Sequence, residues 1–302
     1  MHILLDNVNL DSSSGPNSFA QKLTKYMSMR GHTFELGGTS PADAQLCFIE
    51  SHQKLPTTNK LITRFDGIYF NTLQDHKSQN ENIKRTYEHS DGVIFQSNFN
   101  KELITRYFGE HPNSQVIHNG ADVDLTNELY ACNLNAIEDV WCCASSWRPH
   151  KRLNENIEYF LEHSGPLDLM VVAGLGYENR EVIHDEKIIY VGNLSNNNLI
   201  SLYKRSKYFV HLAWLDHCPN VVVDARAAGC EIICSSTGGT KEIAGKNAVV
   251  IEEPEWDFKP LNLYEPPKLN FDNKINNDWD IDYNMKHCAS KYENYLNTVE
   301  KK

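Results

Sequence analysis

Leu212-Ala213-Trp214-Leu215-Asp216-His217-Cys218-Pro219-Asn220-Val221-Val222-Val223-Asp224-Ala225-Arg226-Ala227-Ala228-Gly229 carries the decisive pattern. A strand ends, a polar loop follows, and Pro219 stands where a helix opens, a position that needs no amide hydrogen from it. The first amides of that helix, on Asn220, Val221 and Val222, point out of its start and form a ready site for a phosphate or a sugar oxygen. Asp216 sits in the loop and Asp224 inside the helix, eight positions later. Two carboxylates bracketing a helix start can grip hydroxyls on either side of a diphosphate. One suits a transferred sugar and the other a ribose diol, as acidic residues do in nucleotide-binding folds.

Outward from this run, short apolar stretches alternate with longer amphipathic ones. Expected strands are 2–8, 46–50, 60–65, 92–96 and 115–118, then 140–145, 167–173, 187–191, 208–212, 231–235 and 248–252. Expected helices are 17–30, 79–89, 98–108, 152–163, 195–206, 219–228 and 283–299. Strand alternating with helix means α/β architecture with parallel sheets covered on both faces. The rhythm occurs twice and breaks near 119–139. The expectation is two Rossmann-like domains, 1–130 and 131–282, with a tail helix in 283–302. Residues 256–282, rich in Pro, Asn and Asp, read as an extended surface segment.

The chain has 302 residues, 40% of them apolar, room for two cores of about 150 residues each. Its 29 basic and 40 acidic side chains leave a net charge of −11. That balance excludes a nucleic-acid footprint. It offers no general attraction to anionic lipid, although a local basic patch for peripheral membrane contact is compatible with it. No apolar run approaches the roughly 18 residues of a membrane span, and Met1 leads straight into a strand rather than a secretory signal. The eight cysteines show no CxxC pair and lie mostly in strand-like runs, so buried free thiols in a reducing, cytoplasmic compartment are expected.

Three further clusters carry chemistry. Arg148-Pro149-His150-Lys151-Arg152 follows the first strand of the second domain, at a βα junction where such sheets hold ligands. Cations fixed there would stabilise the charge that builds on a departing diphosphate. Ser12-Ser13-Ser14-Gly15-Pro16 joins the first strand to the first helix. Thr63-Arg64-Phe65-Asp66-Gly67-Ile68-Tyr69 ends another strand: Asp66 could orient an acceptor hydroxyl, and Arg64 could bind acceptor charge.

With these blocks in order, the sequence resembles glycosyltransferase family 4. The resemblance rests on the Asp216 and Asp224 pair, where that family carries two Glu with seven residues between them, and on Cys218-Pro219-Asn220, Ala227-Ala228-Gly229 and Ser236-Thr237-Gly238-Gly239-Thr240-Lys241-Glu242. It extends through Ser145 to Arg152 and through Val116-Ile117-His118-Asn119-Gly120-Ala121-Asp122. Each Asp arm is shorter than Glu by one methylene, about 1.5 Å. The resemblance implies a GT-B fold, two facing Rossmann-like domains with a last helix crossing back to the first. It implies retaining transfer from a nucleotide-diphosphate sugar to a hydroxyl acceptor, a glycan, lipid-linked glycan or small molecule, with no metal and no other cofactor. Donor-binding candidates are then Gly15, Arg148, Lys151, Arg152, Gly192, Asn193, Asp216, Cys218, Asn220, Val221, Val222 and Asp224. The basic pair implied is Arg148 with either Lys151 or Arg152. Catalytic candidates are Arg148, Lys151, Asp216 and Asp66, and acceptor candidates Arg64, Asp66 and Tyr69. Asp122-Val123-Asp124 looks like a metal-holding DxD, but its place in the resemblance is structural. The competing readings are a nucleotide-sugar epimerase or sugar phosphorylase of the same architecture, and a non-catalytic nucleotide-sugar-binding subunit.

Overall fold

The structure is a computed structural model that describes residues 1–37, 40–136, 138–178 and 180–302; Ile137, in the break between the two rhythms, lies outside it. The chain divides into two compact units. Unit 1 is Met1–Ala121 with Phe258–Leu261 and Asp282–Lys302; unit 2 is Asp122–Asp257 with Asn262–Ile281.

Unit 1 is built on strands β1 (His2–Asp6), β2 (Thr33–Leu36), β3 (Ala44–Phe48), β4 (Leu61–Phe65), β5 (Gly92–Phe95) and β6 (Ser114–Val116), in the order β2-β1-β3-β4-β5-β6. All its pairings are parallel. β3, β4 and β5 are buried along their whole length, which is why they read as unbroken apolar runs rather than alternating ones. Helices α1 (Gly15–Ser28), α2 (His76–His89) and α3 (Asn98–Phe108) connect them. α1 buries Phe19, Ala20, Leu23, Tyr26 and Met27, a single stripe at helical spacing.

Unit 2 begins with α4 (Val123–Glu128), capped by the Asp122 carboxylate, which accepts from the Leu125 amide at 3.0 Å. Asp122 and Asp124 are thus the start of a helix. Lys204 donates to the carbonyls of Thr126 and Leu129 at 2.8 and 2.5 Å, which ties this turn to unit 2 and puts the division at 121/122 rather than 130/131. The sheet comprises β7 (Val140–Ala144), β8 (Leu169–Ala173), β9 (Ile188–Gly192), β10 (Tyr208–His211), β11 (Glu231–Ser235), β12 (Val249–Ile251) and the short antiparallel β13 (Lys274–Ile275). Its order is β13-β12-β11-β10-β7-β8-β9. Without β13 this is the Rossmann order, with its reversal between β7 and β10. The helices are α5 (Leu153–His163), α6 (Asn196–Arg205), α7 (Asn220–Ala227) and α8 (Thr240–Ala244).

The chain then returns to unit 1. α9 (Met285–Thr298) buries Met285, Cys288, Ala289, Tyr292, Tyr295 and Leu296 in the core formed by β1, β3 and α1. Tyr292 lies 5.8 Å from Phe19, ring to ring. The close fit is set at Gly120, where a Cβ would stand 2.7 Å from the Met285 Cα. Ahead of α9, Asp282 accepts from the Asn284 amide at 2.8 Å.

Residues 256–282 form the expected extended surface segment, with Asn277 its one buried residue, and are tied down at separate points. Leu261 exchanges main-chain bonds with Phe70 and Thr72 in unit 1. Tyr107 donates to the Phe258 carbonyl at 3.0 Å, and the Phe258 ring lies 5.9 Å from Phe99. Leu269 and Phe271 pack on the unit 2 core. Scattered apolar residues with no period find separate partners, so no local pattern announces them. All eight cysteines are free thiols, seven of them buried.

Candidate functional site

The reversal of strand order between β7 and β10 leaves the loops after these strands side by side at the carboxyl edge of the sheet. Side chains and backbone lace the two loops together. Asn156, buried on α5, donates to the carbonyls of Lys151 and Arg152 at 3.0 and 2.7 Å and accepts from the Leu212 amide at 2.9 Å. The Trp214 amide donates to the His150 carbonyl at 2.8 Å. Trp147 anchors the first loop by donating to the Ala173 carbonyl at 2.9 Å. A third loop supports the second: Gly239 donates to the Asp216 carbonyl at 2.7 Å. At Gly238, φ is +89° and a Cβ would come within 2.6 Å of that carbonyl oxygen, so only glycine lets the Asp216 backbone rest there.

This framework brings Lys151 and Asp216 into a direct ion pair. His211, the last residue of β10, meets the same carboxylate oxygen through Nε2 at 3.0 Å, and the His217 amide donates to the other oxygen at 3.0 Å. Burial alone would raise the Asp216 pKa, but the Lys151 charge, with help from His211, outweighs it and holds the carboxyl well below its ordinary value. The surrounding histidines stay neutral. Burial, reinforced by Lys151, lowers His150 to about 3; burial lowers His217 to about 4; and His211 is lowered by burial despite Asp216 beside it.

These shifts set an acid limit. Unfolded, His150 and His217 regain a pKa near 6.5 and bind protons that the fold refuses, so stability rises with pH wherever the unfolded chain holds more of them. Stability should be whole above about pH 6.5 and fall as the pH drops toward 4, and below that the protonation of Asp216 adds to the loss. Thermal melts across pH 4–7.5 followed by tryptophan fluorescence check this. A flat profile over that range would contradict buried neutral imidazoles.

The structure separates the two basic candidates. Arg152 is 1% exposed and left-handed at φ 53°. Its guanidinium is bound to Glu253 at 2.7 Å and to the carbonyls of Leu212 and Pro267 at 3.1 and 2.7 Å. Arg152 is therefore withdrawn from the donor-binding set: its donors are turned into the fold. Arg148 is exposed and Lys151 half-buried. Around α7, Asn220, Val221 and Asp224 are half-buried and Cys218 is buried. Val222 is corrected on two counts, since its side chain is fully buried and its amide already donates to the Pro219 carbonyl at 3.1 Å. Gly192 closes β9 with φ +65°, and Asn193 is exposed just beyond it.

In unit 1 the strand-order reversal falls between β1 and β3. Gly15 opens α1, and a Cβ there would meet nothing within 4 Å, so packing does not demand glycine. Arg64 is corrected as an acceptor contact. It is 1% exposed, paired with Asp66, bonded to Gln96 and Asn119 at 3.0 and 2.9 Å, and set 4.2 Å over the Phe19 ring. The Asp66 carboxylate is held by that pairing at the edge of the fold, while Tyr69 is 41% exposed with its backbone pinned by Asn80. Sequence reasoning missed Asp6, buried at the end of β1 and held by Gln45 and Ser51 at 2.8 and 2.5 Å. It also missed His211, Asn156 and Glu253. For Asp6 and His211 the signal was a polar residue at the end of or inside an apolar run, whereas Asn156 and Glu253 stand among other polar residues and gave none. Among the described residues no group of three or more His, Cys, Asp or Glu is arranged to hold a metal ion. No described helix is long and apolar enough to cross a membrane.

Residues 139–258, the span holding the Lys151–Asp216 pair, match the family described as Glycosyl transferases group 1. No curated protein matches the sequence. Among solved structures, the chain is similar to the sucrose-phosphate synthase of Thermosynechococcus elongatus, with a TM-score of 0.68 at 13% identity over 83% of this chain and 86% of that one. It is similar to HepE of Anabaena, solved with UDP and glucose, with a TM-score of 0.65 at 13% identity over 99% and 100% of the two chains. It is also similar to WaaG, a glycosyltransferase involved in lipopolysaccharide biosynthesis, with a TM-score of 0.63 at 11% identity over 99% and 91%. At such identities the likeness establishes the fold, the two Rossmann-like units of the GT-B class.

Proposed function

We propose that this chain, a glycosyltransferase by the group 1 match of residues 139–258, transfers a sugar from a nucleoside-diphosphate sugar to a hydroxyl acceptor with retention of configuration and without a metal. The observation that carries the reading is the Lys151–Asp216 pair at the strand-order reversal of unit 2. The UDP and glucose bound in the HepE complex support the donor class. Lys151 and Arg148 would meet the diphosphate, Asp216 a sugar hydroxyl and Asp224 the ribose diol. The bond from the anomeric carbon to the phosphate oxygen breaks as the acceptor oxygen bonds to the same face. The departing phosphate oxygen takes the acceptor's proton, so no protein nucleophile is needed. Asp66 and Tyr69 would serve the acceptor, and Gly15, which opens α1, the donor. Eight free thiols suit a reducing compartment such as the cytoplasm.

A thermal-shift panel of uridine, guanosine and adenosine diphosphates and their glucose esters selects the nucleotide, since a ligand of the folded state raises its stability. Calorimetry on two variants then tests the assignment. Asp224→Ala should weaken binding of the free diphosphate by about 1.5–3 kcal/mol. Asp216→Ala should leave that binding nearly intact and impair turnover of the sugar ester. Unchanged diphosphate affinity and turnover in both variants would refute the donor site. Diphosphate release that proceeds equally without any acceptor would point to an epimerase instead.

A further inference from the structure

The hold on Asp216 has two parts that respond differently to a donor. Lys151 Nζ and His211 Nε2 both bond to the same carboxylate oxygen, and the other oxygen takes the His217 amide. Lys151 reaches the carboxylate on a flexible four-carbon stem and is half-buried. His211 is 3% exposed, its backbone is locked in register opposite Cys234 of β11, and its ring lies nearly parallel to Phe209, 6.2 Å away and inclined by 12°. One partner can move and the other cannot.

We propose that His211 is a positioning residue of the donor site, holding Asp216 in place through Nε2–H when a diphosphate draws Lys151 away. The inference rests on the donor reading above. A diphosphate competes with Asp216 for the Lys151 charge, and the carboxylate must then orient a sugar hydroxyl without its main counter-ion. The fixed imidazole supplies the remaining side-chain restraint. Its chemistry fits. An ionised carboxylate only accepts, so the single proton of a neutral imidazole must sit on Nε2. A neutral donor orients Asp216 without adding a second cation that would compete with the sugar hydroxyl for the same oxygen. His211 touches no reacting atom in this scheme and acts only through Asp216.

The test uses the full chain, the nucleoside diphosphate selected by the panel, and its glucose ester. His211→Phe keeps an aromatic ring and removes the donor. His211→Gln places an amide nitrogen close to where Nε2 stood. His211→Phe should bind the free diphosphate within twofold of wild type, yet lose at least tenfold in affinity or kcat for the glucose ester, and His211→Gln should recover most of that loss. Nitrogen-15 NMR of histidine-labelled wild type should show the Nε2–H tautomer at His211, a readout that needs neither ligand nor variant. The inference is overturned by an Nδ1–H tautomer, by a His211→Phe variant equal to wild type, or by equal losses for diphosphate and ester in both variants, which would mark a purely structural role. Failure of the donor reading looks different: wild type binds no nucleotide of the panel, or Asp216→Ala changes nothing, and the inference falls with it.

Discussion

Arg152→Ala should destabilise unit 2 by about 3–5 kcal/mol, enough to leave much of it unfolded at physiological temperature. The reason is the carboxylate left behind. Both side chains of the Arg152–Glu253 pair are fully buried, and among the described residues the Glu253 carboxylate otherwise accepts from the Thr237 hydroxyl. Removing the guanidinium strands a desolvated charge and also frees the carbonyls of Leu212 and Pro267 that Arg152 satisfies. Replacing both members by apolar residues, Arg152→Met with Glu253→Leu, should restore most of the lost stability, because a well-packed apolar pair costs no desolvation. Urea unfolding followed by tryptophan fluorescence measures this cleanly, since all five tryptophans lie in unit 2. A single variant within about 1 kcal/mol of wild type would mean that Glu253 does not depend on Arg152.

Lys151→Met, one residue away, should act mainly on turnover, reducing it by about 10²–10³-fold, the usual cost of losing one preorganised charge-stabilising group. Its stability loss should be smaller than that of Arg152→Ala, because Asp216 keeps its bonds to His211 and the His217 amide. On the proposed reading, charge builds on the diphosphate as the sugar–phosphate bond breaks, and the half-buried Lys151 would meet it. Two secondary effects point the same way. Asp216 loses the charge that outweighs its burial, so its pKa should climb, and His150 loses a repulsive neighbour, so its own should rise. Wild-type turnover should survive a chelator, and Mn²⁺ or Mg²⁺ should not rescue Lys151→Met. Undiminished turnover in the variant, or a wild type that dies with chelator and revives with metal, would remove Lys151 from the site and return attention to metal chemistry.

That two adjacent basic residues behave so differently marks the limit of reading along the chain. The sequence left open whether Lys151 or Arg152 meets the diphosphate. The answer depends on Glu253, 101 positions from Arg152, and on Asp216, 65 positions from Lys151. Arg64 shows the same effect, its exposed-looking place before Asp66 concealing a cage made with Gln96 and Asn119. Short elements escaped for a related reason. β2 has four residues, mostly exposed, and β13 only two, so neither leaves a period to detect. α4 and α8 are single turns or little more.

What the sequence determined by itself is the alternation that builds two parallel sheets, the helix started by Pro219 between Asp216 and Asp224, and a final amphipathic helix. Each is a local property: a run of apolar residues, a residue without an amide hydrogen, a stripe at helical spacing. What only the tertiary structure decided is which charged groups face outward and which are consumed inside. It brought the loops after β7 and β10 together at the strand-order reversal, set His211 against Asp216, and turned Arg152 inward. Those outcomes depend on pairs far apart in the chain meeting in a medium that punishes any unpaired charge, and no stretch of residues read alone contains its partner.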